Sequence, residues 1–121
     1  MKTKDSIIRQ KSFDFAIRIV KLYKYIVSEK KEYVLSEQLL RSGTSIGANV
    51  NEAIYGQSKK DFVSKLHIAL KEASETEYWI ELLNVSGYLD EKEYQSIIND
   101  NTEILKILTS IIKTSKENMG Q

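Results

Sequence analysis

The chain has no cysteine, no proline, a single histidine and only five glycines among its 121 residues. Without cysteine there is no disulfide framework, no thiolate zinc site and no cysteine nucleophile. Without proline, and with so few glycines, the turn punctuation of β-hairpins and βαβ crossovers is missing. The lone His67 removes most catalytic and metal constellations. Long apolar runs are missing as well. Arg9, Lys11 and Asp14 interrupt the first thirty positions, so no signal-peptide core is read. No stretch nears the roughly 18 apolar residues that span a bilayer. The expectation is a cytoplasmic protein with no membrane association.

What is present is the balance of a globular chain, 41% hydrophobic and 29% charged. The length suits one domain over residues 1–121, since two halves would each lack a sufficient core. A net charge of +1 hides an asymmetry. Residues 1–31 hold nine basic and three acidic side chains, and the remainder hold nine basic and fourteen acidic. Such a split marks either a basic face for a polyanion or a basic helix packed beside acidic ones.

Helical periodicity predicts four helices, at about 12–29, 36–56, 58–86 and 90–113. In the first, Phe13, Ala16, Ile17, Val20, Tyr23 and Val27 recur at helical spacing, with Ser12 as the expected cap. A second apolar stripe, Phe15, Ile19, Leu22 and Ile26, lies beside it. Two stripes imply cover on more than one side, which is a first hint of self-association. The second helix carries a narrow seam, Leu39, Gly43, Ile46, Val50 and Ala53. Gly43 and Gly47 cost about 1 kcal/mol each in helix propensity, and close approach of a neighbouring backbone is the expected return. Ser58 with Asp61, and Asp90 with Glu93, read as capping signatures for the third and fourth helices. The third then directs Phe62, Leu66, Ala69, Leu70, Ala73, Ile80 and Leu83 to a core. The fourth directs Ile97, Ile104, Leu108 and Ile111. The pattern weakens after Lys113, and residues 1–11 are weakly specified, although Ile7 and Ile8 could extend the first helix. Short connections make sequential helices antiparallel. The predicted fold is therefore all-α, an up-down-up-down four-helix bundle.

Arg41, Ser45, Asn49 and Glu52 fall at steps of four, four and three, which puts them on one face of the second helix. Reflecting the second helix onto the third about a turn near Gln57 sets Arg41 across from residue 73. Glu72 and Glu75 are then its nearest carboxylates. A charge-assisted bond from Arg41 to Glu75 or Glu72 is expected, at a helix or subunit interface.

Residues 35–79 run LSEQLLRSGTSIGANVNEAIYGQSKKDFVSKLHIALKEASETEYW. They place Arg41, Ser45-Ile46, Asn49 and Glu52 before Phe62, Leu66, Ile68-Ala69 and Glu75. This arrangement resembles the bacterial four-helix-bundle family first noticed as proteins encoded by intervening sequences within 23S ribosomal RNA genes. The chain departs from that family at Gly47, where many members have proline, and at Ala53, where many have glycine. The resemblance implies a ring-shaped homopentamer. Similar proteins include the accessory subunit of diversity-generating retroelements, a basic pentamer that binds nucleic acid and a reverse transcriptase.

Catalytic chemistry finds no residue set. Neither Glu72 nor Glu75 starts a Glu-x-x-His motif of the kind di-iron bundles use. No Walker loop or GxSxG elbow occurs. The expectation is a non-enzymatic oligomeric scaffold or accessory protein, with no cofactor and no metal. Its leading partner class is RNA or DNA, carried by Arg18, Lys21 and Lys24 if an oligomer presents them together. The alternative is a purely protein-binding scaffold. Tyr23, Tyr25, Tyr33 and Tyr55 could stack on bases if exposed.

Overall fold

The computed structural model describes residues 3–120 and contains four α-helices with no strand among them. Helix α1 spans Lys4–Tyr25 and runs on into a π-helical turn, Ile26–Lys30, that ends at Lys31 in the left-handed region (φ 56°). Helices α2, α3 and α4 span Leu35–Ile54, Lys59–Val85 and Glu91–Met119. Gly87, at φ 88°, takes the left-handed step after α3.

The helix starts are set by side-chain oxygens that accept otherwise unpaired amides. Ser58 accepts from the N–H of Asp61 at 3.0 Å, and Asp90 from that of Glu93 at 2.7 Å. At α2 the cap comes from further upstream. The Glu32 carboxylate accepts the N–H groups of Val34, Leu35 and Ser36 at 3.0, 2.9 and 2.8 Å. Burial of Glu32 raises its pKa, but these three amides and the Ser36 hydroxyl outweigh that and leave it below the ordinary carboxylate value.

Two ends differ from the periodicity reading. Helix α1 begins at Lys4, because Thr3 caps it by accepting from Ser6 and Ile8 is buried against the core. Ser12, read as the cap, is instead a buried mid-helix residue whose hydroxyl donates to the Arg9 carbonyl. Helix α4 continues past Lys113 to Met119 and buries Ser115. The longer α1 gives α4 a neighbour there, with Lys4 Nζ bonded to Ser110 Oγ at 2.8 Å.

Register is read from the bonds between helices. Ser42 meets Thr76 and Glu52 meets Lys65. Ala73 meets Asn101 and Glu81 meets Tyr94. Lys4, Lys11 and Arg18 meet Ser110, Glu103 and Asp100. In each pair of helices the residue numbers rise on one partner as they fall on the other. The N-terminus of α1, the turn between α2 and α3, and the C-terminus of α4 therefore share one end of the bundle.

The core is a continuous apolar cluster from Ile8 to Ile112. Helix α2 buries its predicted seam, and α4 buries Ile97, Ile104, Leu108 and Ile111. On α1 the inward stripe is Phe15, Ile19, Leu22 and Ile26, whereas Phe13 and Ile17 face outward. The glycines of α2 decide this. A Cβ at Gly43 would lie 2.8 Å from Ile19 Cγ1, and one at Gly47 would lie 3.2 Å from the Ser12 carbonyl oxygen. Only a side chain-free strip on α2 lets the Ser12–Ile19 face of α1 approach so closely. Two polar contacts are sealed inside. Thr76 and Ser42 share a hydrogen bond of 2.9 Å, and Asn101 donates to the Ala73 carbonyl at 3.0 Å.

Candidate functional site

The polar stripe of α2 divides into separate units. Arg41 reaches across to α3, with Nη1 3.2 Å from Glu72 and Nη2 bonded to Glu75. Its Nε donates to Gln38 at 3.3 Å. Glu75 also accepts from the Trp79 indole N–H at 2.9 Å. Ser45 and Asn49 turn to their own helix, donating to the carbonyls of Arg41 and Ser45 at 2.7 and 2.8 Å. Glu52 pairs separately with Lys65 at 3.5 Å. The Arg41 guanidinium thus spends its donors on Gln38, Glu72 and Glu75. That arrangement clamps α2 to α3, and the Arg41 side chain, 47% exposed, places it at the modest end of ion-pair strength. Trp79 was not anticipated as a member, although its place one turn after Glu75 is a signal.

Helix α1 engages α4 through cations at steps of seven. Lys4 bonds Ser110, Lys11 pairs with Glu103 at 2.6 Å, and Arg18 reaches Asp100 at 2.7 Å and Glu93 at 3.3 Å. The hydrogen bond and charge of Glu103 raise the pKa of Lys11. Arg18 is therefore committed to two carboxylates and only 28% exposed at its side chain. Lys21 and Lys24 are exposed and make no ion pair among the described residues. Lys21 borders a groove of about 360 Å³ that also holds Asp90 and Glu93.

Charge in the folded bundle follows its axis and not its chain order. The half containing residues 3–14, 46–71 and 103–120 carries ten basic and six acidic side chains. The half containing residues 15–45 and 72–102 carries seven basic and eleven acidic. Lys21 and Lys24 lie in the acidic half. Folding α1 against α4 pairs two cations of the first 31 residues, Lys11 and Arg18, with three α4 carboxylates.

An apolar strip remains on the surface of α1. Phe13 is 61% exposed and Ile17 42%. Phe13 and Ala16 flank a groove of about 700 Å³ whose other wall is Thr44, Gly47 and Ala48 of α2. At the basic end of this groove Arg9 lies over the Tyr55 ring, 5.6 Å from its centroid. His67 is half-buried on α3. Among the described residues no group of three or more His, Asp or Glu side chains could hold a metal ion, and no helix is long and apolar enough to cross a membrane.

The family model described as 23S rRNA-intervening sequence protein matches residues 4–110. The chain is also similar to a protein of unknown function from the S23 ribosomal protein family of Bacteroides thetaiotaomicron VPI-5482, solved by crystallography at 1.70 Å resolution. The two share 59% identity over 92% of this chain and 99% of that one, with a TM-score of 0.90. None of the curated proteins matches the chain.

Proposed function

The chain belongs to the family of 23S rRNA-intervening sequence proteins, and from that premise we propose that it is a non-enzymatic cytoplasmic scaffold that assembles with copies of itself. Each subunit is an up-down-up-down antiparallel bundle, and the assembly is a ring of five. The observation that carries self-assembly is the strip of Phe13 and Ile17, large apolar side chains left 61% and 42% exposed beside a groove of small residues. Covering what remains exposed of each side chain stabilises an assembly by roughly 0.6–1.8 kcal/mol, in proportion to its exposed fraction. A contact between unlike faces closes into a ring when its rotation is a whole fraction of a turn. The number five rests on the family resemblance. Protein partners, a reverse transcriptase among them by analogy with the retroelement accessory subunits, would meet the assembled ring.

Nucleic-acid binding through Arg18, Lys21 and Lys24 has weaker support, because Glu93 and Asp100 already hold the Arg18 guanidinium. Light scattering of the purified protein tests the scaffold reading. A pentamer of the 13.9 kDa subunit gives about 70 kDa. A Phe13→Glu, Ile17→Glu variant should fall to monomer mass with its helical circular dichroism intact. A wild-type mass of one subunit, or a variant mass unchanged from wild type, would overturn the reading.

A further inference from the structure

We propose that the basic end of the bundle is a binding surface for single-stranded nucleic acid, centred on the Tyr55 ring at the turn between α2 and α3. Four observations converge there. The half of the bundle that ends at this turn has the surplus of cations, ten basic to six acidic among its described residues. Lys59 and Lys60 open α3, Lys113 and Lys116 close α4, and all four are exposed. Extending the α3–α4 register from the Asn101–Ala73 and Tyr94–Glu81 bonds brings the two lysine pairs to the same level.

The second observation is the ring itself. Tyr55 is 67% exposed, the most exposed aromatic side chain among the described residues. Arg9 covers one face with its guanidinium. That leaves the rest of the ring to solvent, and a base stacked on it would meet a cation–π pair already formed. Third, a groove of about 580 Å³ lies next to the stacking position, lined by Tyr55, Gly56, Gln57, Ser58 and Lys65 together with the carboxylates of Glu52 and Asp61. Fourth, Glu52, one of the two carboxylates that line this groove, is already paired with Lys65 at 3.5 Å. The other, Asp61, turns its carboxylate toward Gly56, whose added Cβ would sit 2.7 Å from Asp61 Oδ2.

Cations spread around an exposed aromatic ring fit a strand whose phosphates pair with lysines and whose unstacked base lies on the ring. A duplex keeps its bases stacked within itself and gives the Tyr55 ring nothing to hold. This surface does not depend on self-assembly, since a single bundle presents all of it. A ring would repeat it and raise the apparent affinity by multivalency.

The test is fluorescence anisotropy with a labelled oligouridylate, its duplex counterpart and polyglutamate as an acidic-polypeptide competitor. The wild type should bind the single strand more tightly than the duplex, with affinity that falls steeply as salt rises from about 50 to about 200 mM. Tyr55→Ala should weaken binding about tenfold, within the range measured for lost base stacking. The pair Lys59→Glu, Lys60→Glu should weaken it further and flatten the salt dependence. All of these side chains are exposed, so circular dichroism and light-scattering mass should match wild type. Failure of self-assembly would appear in the mass and failure of this proposal in the anisotropy, which separates the two. Absence of binding at low salt would overturn it. So would loss of binding on Lys21→Glu, Lys24→Glu with none on the Tyr55 and Lys59/Lys60 changes. Equally tight competition by polyglutamate would assign the surface to acidic proteins instead.

Discussion

Replacing Glu32 with glutamine should loosen the start of α2, and the size of the loss can be worked from its bonds. One carboxylate serves three consecutive amides, those of Val34, Leu35 and Ser36. Val34, which immediately precedes the helix, makes no side-chain cap bond of its own, so nothing else replaces that service. Losing a helix cap costs about 0.5–2 kcal/mol, and losing a negative charge at a helix N-terminus about 0.3–1 kcal/mol. Glutamine keeps one acceptor oxygen, which puts the expected loss near 1 kcal/mol. For a chain of this size that is a fall in Tm of about 3–6 °C. The pH dependence supplies the sharper check. Burial raises the Glu32 pKa, the amide bonds lower it by more, and the net value lies below the 4.5 of a free glutamate. A carboxylate depressed in the folded state gives its full stabilisation above the unfolded pKa and loses it as pH falls through the folded one. Wild type and Glu32→Gln should therefore differ fully near neutrality and converge in acid. Urea unfolding followed by far-UV circular dichroism measures both. Equal stability at neutral pH, or a difference that stays constant into acid, would refute the capping role.

Two further changes test the packing and the α1–α4 contact. Gly43→Ala should destabilise by about 1–3 kcal/mol despite better helix propensity, because the new methyl meets the fully buried Ile19 side chain at 2.8 Å. A rise in the urea midpoint would contradict that tight contact. Ser110→Glu should stabilise by about 0.2–1 kcal/mol, since it gives Lys4 the carboxylate that Lys11 and Arg18 already have. The gain should shrink in high salt, and a salt-independent effect of either sign would mean that Lys4 does not face the new charge.

Why some of this was legible in the residues and some was not comes down to which signals are local. The seam Leu39, Gly43, Ile46, Val50 and Ala53 shows because its neighbours are polar, and Ser58 and Asp90 show because a cap is a short-range bond. The inward face of α1 does not show, because both of its stripes are apolar and hydrophobicity alone cannot rank them. The choice is made on another helix, where Gly43 and Gly47 admit Ser12 and Ile19 and leave Phe13 and Ile17 outside. Ser12 misleads for a similar reason, since a serine bonding the carbonyl three residues back in mid-helix looks like a cap on paper. Glu32 escapes notice because it lies outside the predicted second helix. Charge is the clearest instance of a non-local property. A basic N-terminal stretch reads as a basic surface only if its cations stay free, and the seven-residue spacing of Lys4, Lys11 and Arg18 lays them along α4, two of them directly against its carboxylates. The cations that remain surplus come from three segments far apart in sequence, α1's first turns, α3's start and α4's end. Only the register of the bundle gathers them, at the end where Tyr55 sits on the turn between α2 and α3. The place to look for a ligand is therefore set by topology and not by the stretch of chain with the most lysines.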